Sequence, residues 1–199
     1  MIQGSPEWFS ARRGNVGASS VYKVMAKGEG KVRQQYMTDL LIERLGGQVE
    51  SFTSAAIQRG TETEPLARSA YEVETGQTVM ECGFIMHPEI DRFGASPDAL
   101  VGDDGLLEIK CPNTSTHIDF IRRRKPAGQY IWQMQAQMAC TGRSWCDFVS
   151  YDDRLPGLEF QTVRIMRDDS KITEMLTGIT AFLKELDDLE AEMRERMKP

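Results

Sequence analysis

The sequence predicts a mixed α/β (α+β) domain in which a mixed central β-sheet is flanked by helices. Helical periodicity dominates up to residue 76, and short β-rich runs separated by turn residues follow up to residue 112. A helix, two further strands and a long amphipathic helix complete the chain. This order, α-α-β-β-β-α-β-β-α, is typical of a sheet covered by helices. With 199 residues and no internal repeat, the chain is expected to form one domain over residues 1–199.

The first part of the chain predicts three helical segments. Residues 17–28 carry apolar side chains at helical spacing. A second helix is predicted from about Gln34 to Leu45, because a Gly-Gly pair directly after it signals a C-terminus. Residues 54–76 predict a long helix, in which Pro65 indicates a break or a new helical start.

The period changes to that of strands after residue 76. Turn signals, among them the run GDDG, separate β-rich runs at residues 78–89, 92–101 and 105–112. The later elements are predicted as a helix at residues 129–142, strands at 145–152 and 158–168, and an amphipathic C-terminal helix at about 169–196.

Composition narrows the class of protein but leaves the function open. No apolar run approaches the ~20 residues that span a bilayer, and the N-terminus lacks the pattern of a secretion signal, so a cytoplasmic protein without a membrane segment is expected. The four cysteines include no C-x-x-C pair, which argues against a zinc site. A net charge of −6 still allows a nucleic-acid enzyme, because metal-binding carboxylates add negative charge.

The stretch ASPDALVGDDGLLEIKCP, residues 95–112, contains the strongest chemical pattern. In a strand, alternate residues face the same side, so Glu108 and Lys110 project together while Ile109 turns toward the core. If the segment of Asp98 pairs with this strand across the GDDG turn, its carboxylate meets Glu108. Such hard oxygen ligands suit Mg²⁺ or Mn²⁺, and a lysine beside them suits metal-assisted phosphodiester hydrolysis. The alternative is a solvated hairpin with charges on its exposed face.

Two neighbouring features favour the metal site. Glu64 lies in the helical stretch before the strands, where it could supply a third carboxylate or be one of several surface glutamates. The run QMQAQ places Gln133, Gln135 and Gln137 in an otherwise apolar helix. Because two residues span 200° of a helix, the three cannot share one face, and at least one is expected to point inward toward a polar partner.

Five motifs in order resemble those of the lambda-type phage exonucleases, also called YqaJ-like recombinases. They are EWFSARRGNVGAS, RGTETE, GASPDALV…GLLEIKCP, QYIWQMQAQMACTG and VSYD, and the resemblance runs from about Glu7 to Asp169. The resemblance implies a restriction-endonuclease-like core of the PD-(D/E)xK nuclease superfamily. It also implies a Mg²⁺-dependent 5′→3′ exonuclease, encoded by phage or prophage, that degrades one strand of linear duplex DNA and leaves 3′ overhangs for recombination. The partners so implied are double-stranded DNA ends, a homotrimeric ring and a phage single-strand annealing protein.

The resemblance assigns the catalytic roles residue by residue. Asp98 and Glu108 resemble the Mg²⁺ ligands, with the backbone carbonyl of Ile109 as a third. Lys110 resembles the catalytic lysine that activates the attacking water. Glu64 corresponds to the helix-borne carboxylate near the metal.

The resemblance also assigns residues to the DNA end. Arg12, Ser19, Ser96 and Gln135 correspond to a pocket for the 5′-phosphate, and Gln135 to the active-site glutamine, with Arg13 as the alternative to Arg12. A guanidinium fork and hydroxyl groups suit a phosphate dianion. Ile57 falls near the residue that separates the terminal base pair, and a buried core position is its alternative.

Two rival functions remain open at this point. The same core serves sequence- or structure-specific endonucleases, which would cut a closed circle. A non-catalytic DNA-binding module is the second rival, although Asp98, Glu108 and Lys110 are all present. The basic run Arg122–Lys125 fits either phosphate contacts or a solvated loop.

Overall fold

The structure, a computed structural model, describes residues 3–26, 30–50 and 54–198. The predicted helix at residues 17–28 therefore reaches beyond the described residues at its last two positions. Within the described part, a 3₁₀ turn occupies Ala18–Ser20 and the α-helices are α1 Pro6–Arg12, α2 Val21–Val24, α3 Lys31–Arg44, α4 Ala55–Thr75, α5 Thr114–Arg123, α6 Gly128–Thr141 and α7 Asp169–Arg196.

The strands of the described residues form one larger and one smaller sheet. They are β1 Val16–Gly17, β2 Val79–Met80, β3 Ile85–Met86, β4 Phe93–Ala95, β5 Ala99–Val101, β6 Gly105–Lys110, β7 Trp145–Tyr151 and β8 Phe160–Met166. The larger sheet has the order β2-β5-β6-β7-β8, with β6 and β7 parallel and the other pairs antiparallel. The smaller sheet has the order β1-β4-β3, with β1 parallel to β4. The predicted fold class, a mixed sheet flanked by helices, is confirmed.

Two helices were not expected from the sequence. Helix α1 begins after Ser5, whose side chain accepts a hydrogen bond from the backbone N–H of Trp8. Helix α5 begins after Asn113, which caps the N–H of Thr116 in the same way, and ends at Arg124 in a left-handed conformation. Both helices are short, so their capping residues indicate a helix more clearly than their apolar periodicity does.

The predicted break at Pro65 is wrong, because α4 continues through it. Pro65 removes one helical N–H and leaves the carbonyl of Thr61 without its helical donor. Both residues are exposed, so water can solvate that carbonyl.

The apolar core lies on both faces of the larger sheet. Leu107 and Ile109 of β6 face α4, where they pack with Ala67 and Tyr71. Leu106 of β6 faces the opposite side, toward α5 and α6. Because side chains alternate along a strand, Glu108 and Lys110 share the side of Leu106. The strand therefore points two charged residues at α6 while its neighbours are anchored in the core.

A third apolar cluster joins α2, α3, α6 and α7. Ile172, Met175, Ile179, Phe182 and Leu186 form the buried stripe of α7, as its periodicity indicates. None of the helices in the described residues combines the length and the apolar character that crossing a bilayer requires.

Candidate active site

The antiparallel pairing of β5 and β6 brings the two predicted metal ligands together. The register pairs Ala99 with Leu107, so Asp98 lies opposite Glu108. The N–H of Asp98 donates to the Leu107 carbonyl at 3.1 Å, and Asp98 Oδ2 accepts from the N–H of Ile109 at 2.6 Å. Backbone pairing therefore fixes the position of both carboxylates before any ligand binds.

Glu108 is fully buried and has polar partners on both oxygens. Gln133 Nε2 donates to Oε1 at 2.7 Å and Gln137 Nε2 donates to Oε2 at 2.6 Å. Lys110 Nζ forms an ion pair with the same carboxylate. An isolated buried carboxylate is costly, and these donors offset that cost.

The sequence-based placement of Gln135 at the active site is wrong, since its side chain points elsewhere. Its Nε2 donates to the carbonyl of Met166 at 2.9 Å, and its Oε1 accepts from the N–H of Asp168 at 2.9 Å. Gln133 and Gln137 are four residues apart and share one helix face, whereas Gln135 lies 200° away from either. The glutamine beside the carboxylates is therefore Gln133, with Gln137 behind it.

Glu64 lies on α4 one turn before the buried Ala67, and its charge interacts with those of Asp98, Glu108 and Lys110. Arg68 Nη2 donates to Glu64 Oε1 at 2.6 Å and so orients the carboxylate. Burial raises the pKa of Glu64, and the charges of Arg68 and Lys110 oppose that rise. The structure thus brings Glu64 to the same group of charges as the strand carboxylates.

The electrostatics of this group favour a bound cation. Burial and the neighbouring Glu108 carboxylate raise the pKa of Asp98 well above its ordinary value, against the charge of Lys110. Burial alone would lower the pKa of Lys110, but Glu108 and Asp98 outweigh it and raise that pKa, so the ammonium form is stabilised. The three carboxylates of Glu64, Asp98 and Glu108 still outnumber the two cations beside them, Lys110 and Arg68.

The donor set fits a hard divalent cation. Asp98, Glu108 and the Ile109 carbonyl offer only oxygen, which Mg²⁺ and Mn²⁺ prefer. In the described part of the chain, no three His, Cys, Asp or Glu side chains form a ready-made metal cluster. The predicted ligand set differs from such a cluster because only two of its members are side chains.

The three remaining phosphate-site candidates meet beside Asp98. The parallel register pairs Gly17 of β1 with Gly94 of β4. Ser19 and Ser96 each follow their paired glycine by two residues, so the hydroxyl-bearing residues leave the same end of the small sheet. A cavity of about 140 Å³ is lined there by Ser19, Ser96, Arg12, Asp98 and Gln133. We call it the Arg12 cavity.

Arg12 is held in place by Trp8. Its guanidinium lies 4.0 Å from the Trp8 ring centroid, and the Trp8 indole N–H donates to Ser96 Oγ at 2.9 Å. Burial lowers the pKa of Arg12, although a guanidinium stays charged in proteins. The guanidinium of Arg12 forms no hydrogen bond or ion pair with any residue that the structure describes. Arg13, the alternative, instead donates to the carbonyl of Gly47.

The other candidates do not line the Arg12 cavity. Ile57 is in the first turn of α4 and is 54% exposed, so the core alternative is wrong for it. Within the basic run Arg122–Lys125, the first two arginines form ion pairs with Asp119, and Arg124 donates to Gln161 Oε1 at 2.7 Å. Much of that run is thus engaged with the protein itself.

Sequence reasoning missed several residues of this region. The i, i+4 spacing of Gln133 and Gln137 in an apolar helix was a usable signal, because it places both amides on one face. His117 is fully buried in α5, and its Nδ1 lies 2.7 Å from Ser150 Oγ. Its partners come from distant segments, so no local pattern could reveal them.

Known proteins that are similar to this chain identify the family to which it belongs. The YqaJ-like viral recombinase domain matches residues 7–144. A search of curated proteins found no match. The chain is 53% identical to the alkaline exonuclease LHK-Exo from Laribacter hongkongensis, covering 97% of this chain and 98% of that one, with a TM-score of 0.92.

Two further solved structures are similar to the chain. LHK-Exo in complex with dAMP shows 54% identity, covers 97% of this chain and 98% of that one, and has a TM-score of 0.93. A phage-related exonuclease from Haemophilus somnus 129PT shows 20% identity with a TM-score of 0.75, covering 90% of this chain and 96% of that one. The last match supports the fold alone. The family match and the 53% identity confirm the predicted resemblance, and the chain belongs to the YqaJ-like viral recombinase family of lambda-exonuclease-like nucleases.

Proposed function

We propose that the protein is a Mg²⁺-dependent 5′→3′ exonuclease that degrades one strand of linear double-stranded DNA. The observation that carries the proposal is the sharing of Asp98 between the carboxylate site and the Arg12 cavity. A terminal 5′-phosphate in that cavity would lie beside the groups that hydrolyse the next phosphodiester bond. This arrangement favours release of one nucleotide at a time from a 5′ end.

The metal would be held by Asp98, Glu108 and the carbonyl of Ile109. Mg²⁺, or Mn²⁺ in its place, supplies Lewis-acid polarisation of the scissile phosphate and acidifies water. Gln133 and Gln137 keep the Glu108 carboxylate oriented. Glu64, oriented by Arg68, adds negative charge on the α4 side of the site.

Lys110 acts as an ammonium in this proposal. Its raised pKa favours the charged form, which orients the attacking water by donating a hydrogen bond to it. The same charge offsets the negative charge that develops on the phosphoryl oxygens in the transition state. A neutral amine acting as the general base is less favoured beside two carboxylates.

The Arg12 cavity would select the 5′-phosphate. The Arg12 guanidinium supplies charge, and the hydroxyls of Ser19 and Ser96 supply hydrogen bonds. The amide of Gln133, in place of that of Gln135, completes the contacts from α6. Ile57, exposed at the start of α4, is the candidate for the side chain that separates the terminal base pair.

The relatives support the same chemistry. LHK-Exo is an alkaline exonuclease, and it was crystallised in complex with dAMP, a deoxynucleoside monophosphate. Release of such mononucleotides from a 5′ end leaves 3′ single-stranded overhangs. By family, we propose that a single-strand annealing protein takes these overhangs for recombination, that a homotrimeric ring encloses the DNA, and that the enzyme works in the bacterial cytoplasm.

The experiment that tests the proposal uses one duplex labelled separately on each strand, with a 5′-phosphate or 5′-hydroxyl end. A closed circle of the same sequence is incubated beside it, with Mg²⁺ or with EDTA. Mg²⁺-dependent loss of the 5′-phosphorylated strand, with the circle intact, is the expected result. Cutting of the circle would indicate an endonuclease, and inertness of every substrate would indicate a binding module.

A further inference from the structure

A second cavity borders Lys110. It has a volume of about 320 Å³, and its walls include Lys110, Tyr130, Phe120, Phe148 and Ser150. We call it the Tyr130 cavity. None of the residues lining the Arg12 cavity also lines this one, so the two cavities are separate, with Asp98 lining the first and Lys110 the second. Its volume is within the ~300–1,000 Å³ range of small-molecule sites.

The walls of the Tyr130 cavity suit a flat aromatic ligand. The Tyr130 ring centroid lies 5.4 Å from that of Phe148, and the Phe120 centroid lies 5.2 Å from that of Phe148. Lys110 Nζ lies 5.3 Å from the Tyr130 centroid, which joins this aromatic wall to the catalytic lysine. Nucleobases bind such surfaces by stacking.

The floor of the cavity offers a fixed hydrogen-bond acceptor. Ser150 Oγ lies 2.7 Å from His117 Nδ1, and His117 Nε2 lies 2.8 Å from the carbonyl of Leu158. A carbonyl only accepts, so the Nε2 proton is donated to it and Nδ1 accepts the Ser150 hydroxyl proton. The Ser150 oxygen then retains lone pairs for a ligand amino group, and β7 pairs Ser150 directly with Lys110.

The mouth of the cavity is positively charged. Lys110, Arg123 and Lys125 line it, against the single carboxylate of Asp119. An apolar aromatic body with a cationic rim is complementary to a nucleotide, whose base is flat and whose phosphates are anionic.

We propose that the Tyr130 cavity binds the nucleobase directly 3′ of the scissile phosphate. This proposal rests on the proposed function. With the terminal 5′-phosphate in the Arg12 cavity, the terminal nucleoside spans the distance to the carboxylates and Lys110. The next nucleotide along the strand then lies next to Lys110, which lines the Tyr130 cavity. Its base leaves the duplex stack and stacks against Tyr130, which positions the bond for the following cycle.

The test combines abasic substrates with a cavity variant. Duplexes carry a single abasic residue at nucleotide 1, 2 or 3 from the 5′-phosphate, and kcat/KM is measured for wild type, Tyr130→Leu and Tyr130→Phe. Tyr130→Leu fills the helix face without an aromatic ring, and Tyr130→Phe retains the ring. Thermal unfolding verifies that each variant is folded. The comparison of the three abasic duplexes with the wild-type enzyme does not depend on any variant.

The expected result is a loss confined to the second nucleotide. Removal of that base lowers wild-type kcat/KM roughly 5- to 150-fold, the range for loss of one base–aromatic stack. Tyr130→Leu shows a similar loss on intact DNA and no further loss on the abasic duplex, whereas Tyr130→Phe keeps the wild-type sensitivity. Independent, multiplicative losses, or sensitivity at nucleotide 1 instead, would overturn the assignment. If wild type fails to cleave even intact duplex, the proposed function fails first, which distinguishes the two failures.

Discussion

Replacement of Arg12 by alanine tests the end-binding part of the proposal most quantitatively. In the described residues, Arg12 is the one cation that lines the cavity beside Asp98. A hydrogen bond to a charged group contributes about 1.5–3 kcal/mol, which corresponds to roughly 10- to 150-fold in rate. Arg12→Ala is therefore expected to lower the preference for a 5′-phosphate over a 5′-hydroxyl end by that factor.

The assay compares kcat/KM for the two ends on one duplex, so that any general loss of activity cancels in the ratio. Arg13→Ala is the matched control, since Arg13 is adjacent in sequence but donates to the Gly47 carbonyl. Its ratio is expected to stay within about threefold of wild type, the effect of a surface contact of less than 1 kcal/mol. An unchanged ratio in a folded Arg12→Ala protein, or an equal loss in Arg13→Ala, would refute this reasoning.

Three further predictions concern Glu108 and its glutamine neighbours, the proposed metal ligand Asp98, and the buried Asp152. Gln133→Leu is expected to lower kcat, because it removes a hydrogen-bond donor from Glu108. Gln135→Leu should leave kcat near wild type but lower the free energy of unfolding by about 1–3 kcal/mol per unpaired backbone group. The reverse pattern would contradict the assignment of Gln133 to the active site. Calorimetric titration with Mg²⁺ should show binding to wild type and loss of binding in Asp98→Asn, and equal affinity would argue against that ligand. Burial alone would raise the pKa of Asp152, but hydrogen bonds from Arg154 and Thr114 hold it well below its ordinary value. Its folded pKa therefore lies below its unfolded one, so it stabilises the fold above pH ~4. Asp152→Asn should reduce stability to urea at pH 7 by about 2 kcal/mol, and a gap that did not narrow at pH 3 would contradict this sign.

The sequence carried enough information to predict the hairpin of Asp98 and Glu108. The GDDG turn and the alternation of β6 depend only on neighbouring residues, and the structure has the antiparallel register that they indicate. The buried stripe of α7 likewise follows from the 3.6-residue period. Local patterns of this kind can be derived without knowledge of the tertiary fold.

The choice among the three glutamines could not be made from the sequence. Gln133 and Gln135 are both almost fully buried, so burial does not separate them. Only the rotation of α6 against the sheet decides that Gln133 contacts Glu108 while Gln135 binds the chain between β8 and α7. Helix rotation is set by packing over the whole domain, which no local pattern encodes.

The Arg12 cavity likewise depends on tertiary contacts that no local sequence pattern encodes. The family resemblance supplied Arg12, Ser19 and Ser96. Ser96 is distant in sequence from the other two, and the pairing of β1 with β4 brings it to them. The supporting contact of Trp8 with Ser96 spans 88 residues. Two-residue strands such as β1 give too short a pattern to be identified in advance.

The most direct test of the account is the Lys110→Ala variant. It is assayed for binding and for single-turnover cleavage of the same 5′-phosphorylated duplex, with binding measured in Ca²⁺ and cleavage in Mg²⁺. The account predicts that cleavage falls about 10²- to 10³-fold, in keeping with loss of a preorganised charge at the reacting phosphate, while the dissociation constant changes less than about threefold. Turnover retained near the wild-type rate would contradict the role of Lys110 and, with it, the assignment of the site.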